Sequence, residues 1–339
     1  MSSPPLWITE ADVGGLADLR LAIEAVEDGF RAEARGRALT MVKTQVGWQG
    51  RSLHAIGAAY PDAGLAGTKT WAHSPGGACP LLLLFGADDG QLRAVVEAFA
   101  LGQLRTAAVS GVATRHLAPP GAEVMAVCGT GEQALPQVAA VAAVRPLRSV
   151  RVFGRDPDRR QSLVERISRQ LGLAAAGFAD PAEAVHGAQV VTLVTRATAP
   201  FLAASAPEPG CHVNAVGAIA PDRAEFEPAL IDRCRLLVAD SPAQVRAHSR
   251  EFQERFQSAP DAWDRVIPLS RLVGEERGRP AGADLTLMKA MGVGLADVAL
   301  GARVYGEAVA RGMGRPLEPP RRPVDAGAAA HLIQGGLQP

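Results

Sequence analysis

Val124-Met125-Ala126-Val127-Cys128-Gly129-Thr130-Gly131-Glu132-Gln133-Ala134 decides how the rest of the chain is read. An apolar run of strand length meets two glycines and passes into a helical stretch, Glu132 to Val144. A strand that turns sharply into a helix is the setting in which G-x-G-x-x-A binds a diphosphate. Gly129 allows the tight turn, Gly131 lets the backbone approach a phosphate without a Cβ, and Ala134 permits close helix–strand packing. The first N–H groups of the helix and the positive end of its dipole then face the anion. The spacing predicts that Gly129, Thr130, Gly131, Glu132 and Gln133 bind a dinucleotide.

Outward from this loop the rhythm continues. Strands are expected at Ser149–Phe153, Ala174–Phe178, Val190–Thr195, His212–Val216, Leu236–Ala239 and Leu285–Met288, with a helix at Asp158–Leu171. Strands alternating with helices build βαβ units, so the expected fold is α/β, a doubly wound parallel sheet of Rossmann type. Pro119-Pro120-Gly121 marks where it begins. Upstream, Ile8 to Gly36 reads as helical with Thr9 as a cap, Leu39 to Phe85 as a small, mainly antiparallel sheet, and Ala94 to Leu117 as helix. Gly294 to Arg311 reads as a last long helix, followed by a loosely held Pro-rich tail after Pro316.

The end of the second strand of such a sheet discriminates between cofactors. An acidic residue there takes the ribose diol of NAD(H), whereas arginine accommodates the 2′-phosphate of NADP(H). Here the run is Gly154-Arg155-Asp156-Pro157-Asp158-Arg159-Arg160. Arg155 favours NADP(H); NAD(H) is the alternative if Asp156 turns inward. Ligands of parallel sheets lie at the C-terminal strand ends, which adds Thr195, Val216 and Gly217 as expected cofactor contacts, and Asp297, at the start of the last helix, either contacts the cofactor or caps that helix.

Composition narrows the function further. With 35 basic and 35 acidic residues among 339, the net charge is zero, without the basic excess of a nucleic-acid binder. No apolar stretch is long enough for a membrane span, and MSSPPLWITEADVGGL does not have the shape of a signal peptide. Cys79, Cys128, Cys211 and Cys234 lack C-x-x-C spacing and read as small buried hydrophobes of a reducing cytoplasm. No His or Cys pattern suggests a metal. Only Lys43, Lys69 and Lys289 are lysines in a chain otherwise rich in arginine, which draws attention to all three.

Several segments together resemble the ornithine cyclodeaminase/mu-crystallin family, over about Ile8 to Pro316. They are Leu104-Arg105-Thr106-Ala107-Ala108, the loop Gly129 to Ala134, His212-Val213-Asn214-Ala215-Val216-Gly217-Ala218, and Leu285 to Asp297. The family includes cyclodeaminases, alanine dehydrogenases, ketimine reductases and the NADPH and thyroid-hormone binder mu-crystallin. The resemblance implies a Rossmann domain, 119–297, inserted into a smaller α+β domain of 1–118 plus 298–330 that binds substrate and forms a homodimer.

It also implies a small carboxylated amino or imino acid as substrate. Arg105 and Lys69 are then its carboxylate partners, and Lys43 stands where the family commonly has arginine. His73, four residues after Lys69, is a candidate proton donor; His54 is a weaker one. At Ile219 the cyclodeaminases and alanine dehydrogenases carry an aspartate that moves a proton or holds the amine, which isoleucine does neither of. The implied activity is therefore NADP(H)-dependent oxidoreduction at a C–N bond. A cyclodeaminase with bound NAD ranks second, and a non-catalytic NADPH and small-ligand binder third.

Overall fold

The computed structural model describes residues 4–320. One sheet has eight strands in the order Ala174–Phe178, Ser149–Phe153, Val124–Cys128, Val190–Leu193, His212–Ala215, Leu285–Lys289, Cys234–Ala239 and Val266–Pro268. Every neighbouring pair is parallel. From Val124–Cys128 the chain builds outward to one side, then returns and builds to the other. Such a switch point opens a crevice at the C-terminal strand ends. Alternate residues of one strand serve two separate apolar clusters: Ala126 and Cys128 belong to one, Met125 and Val127 to the other. Period-2 alternation in a strand buried on both faces produces this division. The Rossmann-type α/β fold expected from the sequence is the fold observed.

The second sheet takes strands from both ends of the chain. Its order is Arg315–Pro316, Leu6–Ile8, Leu92–Glu97, Leu81–Gly86, Leu65–Ser74, Arg51–Tyr60 and Leu39–Thr40; Thr44–Trp48 and Gly77–Ala78 pair onto its long hairpin. Pairing is antiparallel except between Leu6–Ile8 and Leu92–Glu97. The helices Leu19–Ala34, Phe99–Leu117 and Gly294–Arg311 share one core with it. Gly294–Arg311 crosses the strand Arg51–Tyr60 backbone on backbone: a Cβ on Gly294 would lie 2.3 Å from the Gly57 nitrogen.

Several sequence expectations are corrected. The segment read as helix from Ile8 to Gly36 is the strand Leu6–Ile8 and two helices. Thr9 and Asp12 form a capping box for Glu10–Leu16, and Asp18 then accepts from the Leu21 N–H and starts Leu19–Ala34. The helix expected from Ala94 begins at Phe99. Leu92–Glu97, with its Val95-Val96 pair, is a strand because Leu6–Ile8 and Leu81–Gly86 flank it. The Glu10 carboxylate accepts from the Phe99 and Ala100 N–H groups where the helix starts. After the glycine loop the helix is Ala134–Ala142, which leaves Glu132 and Gln133 in the turn. Cys128, Cys211 and Cys234 are buried, but Cys79 is exposed beside the short edge strand Gly77–Ala78. Residues 321–339, which include most of the Pro-rich tail and the end of the 298–330 range, lie outside the described residues. Among those described, no helix is long and apolar enough to cross a membrane.

Candidate functional site

The glycine loop leaves the end of Val124–Cys128. Gly129 has φ +127°, and a Cβ there would lie 2.5 Å from the Val194 carbonyl oxygen, so only glycine fits. Its N–H donates to the Phe153 carbonyl (2.9 Å), tying the turn to the next strand. Around Gly131 nothing lies within 4 Å of a Cβ position. The Gln133 Oε1 is buried in this turn without a hydrogen-bond partner. An open cradle at a helix start, with its free N–H groups, fits a dinucleotide diphosphate, whereas the Gln133 oxygen, an acceptor, is suited to a hydroxyl and not to the anion.

At the second strand end Arg155 is exposed. Asp156 does not turn inward: it caps Pro157–Leu171, its Oδ1 accepting from the Asp158 and Arg159 N–H groups at 3.0 Å each. Between the loop and this helix lies a cavity of about 310 Å³ lined by Thr130, Asp158, Arg159, Ser162, Leu163 and Arg166.

Further along the row of strand ends, Thr195 and Gly217 converge on Glu225, a residue the sequence reading missed. Glu225 is fully buried. It accepts from the Thr195 N–H (2.6 Å) and Oγ1 (2.9 Å) and from the Gly217 (2.8 Å) and Ala218 (3.0 Å) N–H groups. Burial pushes its carboxyl pKa up, against the lowering effect of Lys289 and these hydrogen bonds. Lys289 is also fully buried; its Nζ donates to the Ala218 carbonyl (2.6 Å) and lies 3.7 Å from Glu251. Val216 is buried beside this turn.

At Gly292, just past the next strand, the second sheet and its helices supply a cluster of charges. Lys69 sits in the strand Leu65–Ser74, Arg105 on the helix Phe99–Leu117, and Asp297 in the first turn of Gly294–Arg311. The Lys69 Nζ is 2.5 Å from Asp297 Oδ1, and the Arg105 Nε is 3.2 Å from the same oxygen. Lys69 is 5% exposed and Asp297 fully buried. Burial and the Arg105 charge bring the Lys69 ammonium down to about 8, although Asp297 favours its charged form. Asp297 makes no cap to its helix; Val293 occupies that position without a side-chain bond.

Asp240 and Lys43 complete the cluster. Asp240 does not cap the helix after it; Ser241 does. Asp240 instead accepts from the Met291 (2.8 Å) and Gly292 (2.7 Å) N–H groups. That turn lies against Arg105: a Cβ on Gly292 would be 3.3 Å from its Nη1. Lys43 lies in the same field, its pKa lowered by burial and Arg105 and raised by Asp240. On the Lys69 face of its strand, Trp71 has its ring centroid 5.3 Å from the Lys69 Nζ and stacks on His54 at 4.7 Å. Burial, Lys43 and His73 lower the His54 pKa. His73 is exposed, one alternation beyond Trp71, so the structure does not bring it to the cluster's centre.

Three cations thus face two carboxylates. Asp297 Oδ2, Arg105 Nε and His54 Nδ1 are buried without hydrogen-bond partners. Buried polar atoms are ordinarily paired, because leaving them unpaired costs about 1–3 kcal/mol each. A surplus of positive charge with unfilled bonding capacity suits a small organic anion carrying its own donors.

Comparison with known proteins bears out the resemblance. Residues 5–312 match the sequence model of the ornithine cyclodeaminase/mu-crystallin family. The chain is 31% identical over 324 residues to an uncharacterized cyclodeaminase of Sinorhizobium fredii, spanning 91% of this chain and 97% of that one. It is 29% identical over 240 residues to the Δ1-pyrroline-2-carboxylate reductase of Bacillus cereus, 70% and 74% of the two chains. The crystal structure of the Paracoccus denitrificans iminosuccinate reductase in complex with NAD+ matches with a TM-score of 0.87 and 26% identity, covering 93% and 99%.

Proposed function

We propose, for a chain that belongs to the ornithine cyclodeaminase/mu-crystallin family, an NADP(H)-dependent oxidoreductase that acts on the C–N bond of a small carboxylated amino or imino acid. The reaction is reduction of an imine, or reductive amination of a 2-oxo acid. One observation carries this reading: Lys43, Lys69 and Arg105 gather around Asp240 and Asp297 beside the strand end at Gly292, in the same sheet as the dinucleotide turn. Strands lie about 4.8 Å apart, so the three steps from Val124–Cys128 to Leu285–Lys289 span about 14 Å. Two relatives named as reductases of carboxylated imines support the same substrate class.

In this reading residues 119–297 form the dinucleotide-binding domain, inserted into a substrate and dimerisation domain of 1–118 and 298–330. Gly129 to Gln133 hold the diphosphate, and Arg155, with Arg159 and Arg166 beside the cavity, takes a 2′-phosphate. Asp156 is engaged as a helix cap, which weakens the NAD(H) alternative that the NAD+ in the Paracoccus structure keeps open. The exposed Leu39, Val42, Val46, Trp48 and Leu53 form the face that a second copy covers in a homodimer.

A bound nicotinamide supplies or accepts the hydride. Arg105 holds the substrate carboxylate with its planar fork, and Lys43 adds a point charge. Lys69, titrating near 8, still carries its proton at neutral pH and can pass one to the nitrogen or polarise the double bond. Asp297 keeps that ammonium charged and aimed. Ile219, 42% exposed, offers no proton at the position where cyclodeaminases have aspartate, so the cyclodeaminase reading ranks below the reductase.

The test is a screen of cyclic imino acids, and of 2-oxo acids with amines, followed by absorbance of NADPH and NADH. Consumption of NADPH with at least one carboxylated imine is expected. A protein that binds the dinucleotide and turns over none of them, or that releases ammonia from ornithine with no net change in reduced cofactor, overturns the proposal.

A further inference from the structure

We propose that Glu225, assisted by Lys289, is a positioning residue that sets the Thr195 and Gly217–Ala218 backbone against the nicotinamide ring; this rests on the dinucleotide reading above. The geometry is a bridge between strand ends. Glu225 Oε1 accepts from the Thr195 N–H and hydroxyl, after the strand Val190–Leu193. Its Oε2 accepts from the Gly217 and Ala218 N–H groups, after the strand His212–Ala215. One carboxylate therefore spans two neighbouring strand ends, one oxygen to each.

Lys289, at the end of the third neighbouring strand, holds the Ala218 carbonyl from the other side (2.6 Å). Gly217 lies so close to Thr195 that a Cβ would be 2.2 Å from the Thr195 carbonyl oxygen, which leaves no room for a side chain as spacer. Behind the bridge, Glu251 Oε1 accepts the Glu225 N–H (3.1 Å) and Oε2 accepts the Ser249 hydroxyl (2.8 Å). Glu225, Glu251 and Lys289 are all fully buried.

Burying three ionisable groups is a poor route to stability, since a well-packed apolar core of the same volume is often as stable or more so. Hydrocarbon cannot fix four N–H and O–H donors and one carbonyl in a single arrangement. The strand ends so fixed are those that Thr195, Val216 and Gly217 follow at the C-terminal edge of the sheet, so the bridge shapes the ring's end of the binding site and leaves the diphosphate turn alone.

The experiment compares two ligands on full-length protein: NADPH, and 2′-phospho-ADP-ribose, which lacks the ring. In Glu225→Gln an NH2 group replaces one acceptor and faces backbone donors. NADPH binding is expected to weaken by about tenfold or more, the scale of leaving a buried donor unpaired, and 2′-phospho-ADP-ribose binding by less than about twofold. Lys289→Met, which frees the Ala218 carbonyl and keeps all four bonds to Glu225, is expected to show the same split. Equal weakening of both ligands, no weakening of either, or loss of the fold in both variants overturns the inference in favour of a purely structural role. Wild-type protein that binds neither ligand overturns the dinucleotide reading itself, and this inference with it.

Discussion

Two groups of buried charges lie along one edge of the parallel sheet, and they are opposites. Around Glu225, two carboxylates enclose one ammonium, and the Glu225 carboxylate takes four backbone and hydroxyl donors. Around Asp297, cations outnumber carboxylates; Asp297 Oδ2 has no hydrogen-bond partner, and Arg105 Nε, though 3.2 Å from Asp297 Oδ1, makes no hydrogen bond. A charge group that completes its own bonds builds backbone. One that is left incomplete, at the same expense of burial, is held for something from outside. Burial alone does not separate the two kinds; the state of the last hydrogen bond does.

The largest effect is expected from Arg105→Ala. Removing one charged partner from a desolvated site costs about 2–5 kcal/mol, so kcat/KM for the carboxylated substrate should fall by about 30-fold to 5,000-fold. NADPH affinity should stay within about twofold. A comparable loss of NADPH binding would merge the two charge groups into one site.

Next comes pH. Lys69 is charged below about 8 and neutral above it, so the substrate KM should climb as pH rises through about 8, while the NADPH dissociation constant stays level. Asp297 raises the Lys69 pKa, so Asp297→Asn should move that limb toward lower pH and raise KM at pH 7 by about tenfold. A limb that does not move in this variant would show that Lys69 is not the group being titrated.

The smallest effect belongs to a residue outside both groups. Arg155→Ala should weaken NADPH by about tenfold or less, the scale of one hydrogen bond to a charged group, and leave NADH unchanged. Equal weakening of both dinucleotides would remove the 2′-phosphate role.

Legibility in the sequence followed the range of the interactions. Val124–Cys128, Ser149–Phe153 and Ala174–Phe178 are legible to the residue, because a run bounded by turn residues is a local signal. Ala94–Glu97 reads in the sequence as the start of a helix, because what makes Leu92–Glu97 a strand is Leu6–Ile8, far away in the chain. Lys69 and Arg105 came from resemblance to a family. The meeting of Lys69 with Asp297, 228 residues apart, has no local trace. Glu225 gave no signal: an acid in a loop reads as solvated, and only the two strand ends folding over it make it a bridge. Lys289 did leave a hint, as one of three lysines in a chain that otherwise uses arginine.

The crossing of Gly294 over Gly57 puts a helix and a strand in bare backbone contact. In an isolated helix, alanine at position 294 would be the better residue, by less than the roughly 1 kcal/mol of a helix interior, since 294 is the first helical position. In this protein its single methyl would wedge the first turn of the last helix off the sheet and carry Asp297 away from Lys69. A substitution that improves the helix as a helix would thereby disarm the chemistry three residues further on, so local optimisation and function pull in opposite directions at this one atom.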